Sequence, residues 1–204
     1  KRGYKEAGKW TPAYDPKDFT NDTDWIDAIT RIAPYQNYNV SASSNDKGLN
    51  WYASLAFTDT EGIVKDTGYQ RVTGRFNFSK DFTSWLNVAL KISTNYKRKD
   101  MSKAVFSGSG YSNGAIYLSP VIGEMDESNP FVDNGALINT PVASIKYEDY
   151  YSTGWANTDV LEFTIKPFKG FTLKSQNSVR LAQDHTYHFW SNKLPKRRDE
   201  EGAD

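Results

Sequence analysis

From Tyr35 to Gln183 apolar and polar residues alternate in run after run, and a period of two marks strands whose two faces meet different surroundings. In one run Leu49, Trp51, Ala53, Leu55 and Phe57 fall on one side, with Asn50, Tyr52, Ser54, Ala56 and Thr58 on the other. The run at 69–80 sets Val72, Gly74, Phe76 and Phe78 against Arg71, Thr73, Arg75, Asn77 and Ser79. At 85–98, Leu86, Val88, Leu90, Ile92 and Tyr96 oppose Asn87, Lys91, Ser93, Asn95 and Lys97. Runs at 35–43, 155–166 and 171–183 complete six, and the last two place Leu161, Phe163, Leu173 and Leu181 opposite Glu162, Thr164, Lys174 and Arg180. Six such runs in succession specify an all-β chain built as an antiparallel, up-and-down meander.

The connections carry a second signal. Ser44–Gly48, Asp81–Ser84 and Pro167–Gly170 are short and rich in Asn, Asp, Ser, Gly or Pro, as tight turns require. Between them lie longer segments, 61–68 and above all 99–153. Short turns at one end and long loops at the other are the pattern of outer-membrane barrels, whose long loops are extracellular. A β-sandwich has no comparable reason to segregate its connections.

Composition agrees once the membrane is met by strands. Mean hydropathy is −0.70 and no run of about 18 apolar residues occurs, which excludes a transmembrane helix. A barrel strand needs only about 9–11 residues and shows lipid every second side chain, so low hydropathy is no obstacle. Aromatics make up 15% of the chain, which suits interfacial girdles or sugar-stacking surfaces. The 25 basic and 25 acidic residues balance, which argues against a nucleic-acid partner. The absence of Cys removes thiolate metal sites, thiol nucleophiles and disulfides. The opening KRGYKEAGKW has no apolar core, so a signal peptide is expected to lie outside this chain.

Ahead of the strands, 23–33 reads as a short amphipathic helix: Asn21 to Asp24 offer caps, and Trp25, Ile26, Ile29 and Ile32 recur at helical spacing. It packs on a barrel rim or meets a partner. His185 and His188, beside Asp184, stand at a strand end without the i, i+4 geometry of zinc hydrolases. No metal or cofactor is expected. No nucleophile-elbow, Walker A or dinucleotide motif is present, and Asp126-Glu127 falls in a loop, so the chain is not read as an enzyme. In the long loop, Tyr111, Tyr117, Tyr150 and Tyr151 are candidate sugar platforms, with girdle packing as the other role for such rings. The basic and acidic run 196–201 reads as a solvated loop.

Five short segments in register resemble one family: Thr23-Asp24-Trp25, Gln36-Asn37-Tyr38-Asn39, Tyr52-Ala53-Ser54-Leu55, Glu61-Gly62-Ile63-Val64 and Gly74-Arg75-Phe76-Asn77. Together they resemble the SusC/RagA family of TonB-linked outer-membrane transporters. The likeness is firm from Thr23 to Val88, looser through Ser119-Pro120 and the strand at Phe171, and departs at Ser44-Asn45-Asp46, where the family often carries glycines.

The resemblance implies a piece of a large transmembrane β-barrel in the outer membrane of a Gram-negative bacterium. The whole protein would import oligosaccharides, glycans or peptides, capped by a SusD-like surface lipoprotein and energised through TonB. The plug domain, the TonB-contacting segment and the remaining strands are expected outside this chain. On this reading 1–34 leads into the barrel, 35–184 supplies six strands with an external loop at 99–153, and 185–204 begins another external loop. Trp51, Leu55, Phe57, Phe76, Phe78, Leu90 and Ile92 would face outer-membrane lipid. Arg71, Arg75, Lys91, Lys174 and Arg180 would face the lumen and meet plug or substrate. Six strands leave two edges whose backbone groups lipid cannot satisfy, so a closed wall is required. The other reading the residues allow is a secreted β-sandwich carbohydrate-binding module.

Overall fold

The computed structural model describes residues 3–6, 9–12, 22–104, 114–116, 118, 120, 132–133, 136–137 and 140–194. The strands are β1 (Gly3–Glu6), β2 (Lys9–Pro12), β3 (Tyr35–Asp46), β4 (Leu49–Glu61), β5 (Gly68–Thr83), β6 (Leu86–Asp100), β7 (Val132–Asp133), β8 (Ala136–Leu137), β9 (Glu148–Ile165) and β10 (Leu173–Trp190). Two short helices are α1 (Trp25–Ile29) and α2 (Pro141–Tyr147). The chain forms two compact units, one of Ile32–Met101 with Asp149–His188, the other of Lys1–Arg31, Ser102–Glu148 and Phe189–Asp204. No helix among the described residues is long and apolar enough to cross a membrane.

The first unit is one antiparallel sheet in the order β10-β9-β6-β5-β4-β3, the expected meander. Its strands meet at one end through the pairs 47–48 and 84–85 and the loop 166–172, and at the other through 62–67 and 101–147. The β3–β4 turn is the tightest: Asp46 pairs with Leu49, and Lys47 and Gly48 between them both have positive φ, 45° and 76°. Two central residues of that kind give the primed turn whose twist matches its strands, which is why glycine sits there. The Gly48 carbonyl accepts from the Asp81 N–H at 2.9 Å, and a Cβ on Gly48 would come within 3.2 Å of the Asp81 side chain. The 62–67 connection is held by Gly62 N–H donating to Thr67 O at 2.8 Å and Thr67 Oγ1 donating to Val64 O at 2.6 Å.

Register carries the sequence alternation intact across the sheet. The row Ser44, Trp51, Phe78, Leu90, Leu161 lies on one face, as does the row Ala42, Ala53, Phe76, Ile92, Asp159. The neighbouring row Ser41, Ser54, Arg75, Ser93, Thr158 lies on the other. Paired residues in a sheet share a face, so the two sets are segregated along five strands. Large apolar side chains of the first face stay exposed, Leu55 at 54% and Phe76 at 39%. A sandwich buries such a face beneath a second sheet. The other sheets among the described residues are the two-stranded pairs β1–β2 and β7–β8.

The second unit holds the few fully buried side chains. Trp25 and Ile29 of α1 and Ala143 of α2 are buried, α1 packs against α2, and Ala104, Leu118 and Leu194 are buried in the same unit. Asp24 caps α1, its carboxylate accepting from the Ile26 and Asp27 N–H groups at 3.0 Å each. Thr140 caps α2 through Oγ1, which accepts from Ala143 N–H at 3.1 Å, and Pro141 occupies the first turn, where its missing N–H costs nothing.

Three boundaries differ from expectation. Helix α1 ends at Ile29, so Ile32 lies beyond it and is 95% exposed. Pro34 disfavours helical geometry at Ala33, and its carbonyl instead accepts from Glu61 N–H at 3.1 Å. The stretch expected as loop to Thr153 contains α2 and the start of β9 at Glu148, because 151–153 pair with 98–100 of β6. At the far end β10 runs on to Trp190 rather than giving way to loop near 185. Thr186 donates to Ser152 Oγ at 3.5 Å, and Tyr187 and His188 lie against Tyr151 and Tyr150 of β9, which extends the strand.

Candidate functional site

The polar face of the sheet gathers most of the ion pairs among the described residues, the exception being Arg98–Asp100 on the other face. Ala89 of β6 pairs with Glu162 of β9, and Lys91, two residues further along, shares their face. Lys91 Nζ donates to Glu162 Oε1 at 2.9 Å, while Lys174 of β10 approaches Oε2 at 3.6 Å. Glu162 therefore sits between two lysines and is nearly buried by them. Further along the same face Lys97 of β6 reaches Asp184 of β10 at 2.9 Å, crossing the intervening strand above Gly154. A Cβ on Gly154 would collide with both side chains, so the glycine is what opens the path.

The β3–β5 half of that face is different. Arg71 pairs with Thr58 and Lys97, and Thr58 in turn with Asn37; Arg75 pairs with Ser54 and Ser93. With Asn39, Tyr52 and Thr73 they line an open concavity of about 240 Å³. Both arginines are exposed, and neither forms an ion pair with a described residue. Towards the tight turns the face ends in a hydrogen-bonded cluster around the Asp81 carboxylate, Asn87 Nδ2 donating to Asp81 Oδ1 at 2.8 Å and Ser79 Oγ at 3.0 Å.

Of the five cations expected on this face, Lys91 and Lys174 thus converge on Glu162, Arg71 and Arg75 share the concavity, and Arg180 lies exposed on β10. Glu162, Asp184 and Gly154 had no place among the expected site residues; the polar parity of Glu162 was visible in the sequence, its two partners were not. Trp51, Leu55, Phe57, Phe76, Phe78, Leu90 and Ile92 all fall on the opposite, apolar face. That face also carries polar side chains on β9, with Asn157 donating to Asp159 at 2.8 Å.

The four tyrosines do not form one platform. Tyr111 and Tyr117 lie outside the described residues, as do Asp126, Glu127 and 196–201. Tyr150 and Tyr151 belong to β9, not to a loop, and as consecutive strand residues they face opposite ways. Tyr150 stacks on His188 with ring centroids 4.4 Å apart; Tyr151 meets Tyr187 at 5.1 Å and the Arg98 guanidinium at 4.4 Å. His185 contacts Gln183 at 2.8 Å and, three residues from His188 on one strand, points to the other face. No three His, Asp or Glu side chains among the described residues come together as a metal site.

A single up-and-down meander with an exposed apolar face, a charged opposite face and segregated turns is the pattern of a stretch of β-barrel wall. No family model matches the chain. It is 28% identical over 134 residues to the TonB-dependent receptor P26 of Formosa agariphila, covering 64% of this chain and 13% of that protein. It is also 28% identical over 116 residues to the TonB-dependent receptor SusC of Bacteroides thetaiotaomicron, covering 57% of this chain and 11% of that one. Among solved structures, the RagAB peptide transporter superposes with a TM-score of 0.69 at 25% identity, over 88% of this chain and 21% of the other. The chain is thus similar to a segment of SusC/RagA-type TonB-dependent receptors, and spans only about an eighth of the curated relatives it matches.

Proposed function

We propose that this chain forms part of the barrel wall of an outer-membrane importer of oligosaccharides or peptides in a Gram-negative bacterium. The importer works with a SusD-like surface lipoprotein and draws energy from TonB through a segment outside this chain. The observation that carries the reading is the division of the six-stranded sheet into an exposed apolar face and a hydrogen-bonded, charged face. Such a wall turns its apolar face to lipid and its polar face to the lumen, where Arg71, Arg75, Lys91, Lys174 and Arg180 meet plug or cargo. The wall binds and guides; it performs no chemistry on what passes. A binding module of the sandwich type would need a second sheet over Leu55 and Phe76, and nothing observed favours it.

The test exploits the absence of native cysteine from this segment. In the full-length protein in membranes, Ser54→Cys is expected to react with a water-soluble maleimide, while Leu55→Cys and Phe76→Cys react only with a lipid-phase reagent. Reaction of all three with the aqueous reagent would sink the barrel-wall assignment. Co-purification with a surface lipoprotein tests the lid.

A further inference from the structure

The two halves of the polar face differ in charge balance. On the β6, β9 and β10 side each lysine named above has a carboxylate: Lys91 and Lys174 share Glu162, and Lys97 holds Asp184. On the β3, β4 and β5 side, the residues of that face at positions 35 to 45, 50 to 60 and 69 to 79 include no Asp or Glu, and the Asp81 carboxylate lies beyond them at the tight-turn end, bonded to Asn87. In the concavity Arg71 and Arg75 stand among amides, hydroxyls and Ala56.

Contacts within this sheet do not account for that arrangement. Arg71 is directly opposite Lys97, a like-charge pairing that costs stability in a sheet. Turning Lys97 towards Asp184 relieves it on one side and leaves Arg71 without a carboxylate. Guanidinium groups present planar forks that match carboxylates, and neighbouring Asn and Thr side chains supply further donors and acceptors. Arg71 and Arg75 are four residues apart on one strand, about 13 Å along it, with Thr73 between them. The concavity of about 240 Å³ that they line opens to solvent, so both forks are accessible from one side.

We propose that Arg71 and Arg75, with Asn37, Asn39 and Thr73, form a site for carboxylate groups of the imported oligomer, so that the cargo is anionic. The carboxylate comes either from a uronic acid in a glycan or from an acidic residue in a peptide. The proposal rests on the reading that this face lines the lumen, and it adds the class of cargo.

Binding to the purified full-length protein is measured with tetragalacturonate and tetraglutamate, against methyl-esterified tetragalacturonate and tetraglutamine. One acidic probe is expected to bind better than its neutral counterpart; the sugar acid identifies a glycan cargo and the peptide acid a peptide cargo. Arg71→Gln with Arg75→Gln is expected to weaken that probe by about tenfold or more. Lys80→Gln removes one charge from the opposite face of the same strand and is expected to leave affinity within about twofold. Arg71→Lys with Arg75→Lys keeps the charge without the fork, and is expected to lose a smaller factor. It decides the matter if the Gln variant fails to assemble. Unchanged affinity in the arginine variants, or no preference for acid over neutral in the native protein, overturns the proposal; the latter result is also what arginines occupied by a carboxylate of the same protein would give. Aqueous labelling of Ser54→Cys in the same preparation separates the failures. If the probes fail while that position labels, only the anionic cargo falls; if it does not label, the lumen reading falls with it.

Discussion

Lys97 and Asp184 meet at 2.9 Å across a strand that neither belongs to, and they do so because position 154 has no side chain. Gly154→Ala is therefore expected to push the two flexible side chains apart and break the pair, at a cost of about 1 kcal/mol or less. The ion pair itself is largely exposed and contributes less than about 1 kcal/mol. In a double-mutant cycle by urea unfolding, Asp184→Asn should cost less in the Gly154→Ala background than alone. Full additivity would mean the glycine does not serve the pair.

Glu162 holds two lysines, so its replacement does more than remove one contact. Glu162→Gln leaves Lys91 and Lys174 facing each other across an uncharged amide, and lowers stability. Adding Lys174→Gln should restore part of the loss, and so should high salt, which screens the remaining repulsion. Thermal unfolding of the three proteins at low and high salt checks this; a loss indifferent to salt would count against it.

Adjacent positions on β4 should respond unequally to one substitution. Leu55→Arg places a charge on the apolar face and is expected to cost about 2–4 kcal/mol if it lies near the bilayer midplane. Ser54→Arg adds the same charge to the polar face, directly opposite Arg75, and should cost less, about 0.2–1 kcal/mol. Assembly yield in the outer membrane and urea titration read both; equal costs would contradict the assignment of faces.

The β3–β4 turn has one residue that suits it and one that does not. Gly48→Ala forces a side chain into φ 76° against Asp81, and should cost about 1–3 kcal/mol. Lys47 holds φ 45° without the permissive chemistry of Asn, so Lys47→Asn should raise stability by a few tenths to about 1 kcal/mol. Chemical unfolding of each variant measures the difference.

The faces and the tight turns were legible in the sequence because both are local: a period of two needs only neighbours, and Asp46-Lys47-Gly48 names its own geometry. Partnerships across strands were not. Glu162 lies 71 residues from Lys91, and that they meet depends on which residue of β6 opposes which of β9, a register that alternation leaves open. Glu148-Asp149 and Ser152-Thr153-Gly154 have the composition of a turn, which hid the first half of β9, yet ladder bonds do not depend on side chains. Helix α2 did leave a signal, Thr140-Pro141 as cap and first turn, masked by a long stretch without apolar periodicity. Helix α1 was overextended because Ile32 completes a helical spacing that Pro34 does not permit.

Lys47 and Gly48 act as a parity check on everything N-terminal to them. Strand β3 has no second partner in this sheet, so the two residues that turn it back against β4 decide which half of its side chains faces which way. Inserting one residue there would leave every contact of β4 with β5 untouched, yet could send Asn37, Asn39 and Ser41 to the apolar side and Tyr38 and Val40 to the polar one. For such a wall a one-codon change in loop length is a graver alteration than the loss of any single side chain, and related chains can be expected to vary this turn in composition long before they vary it in length.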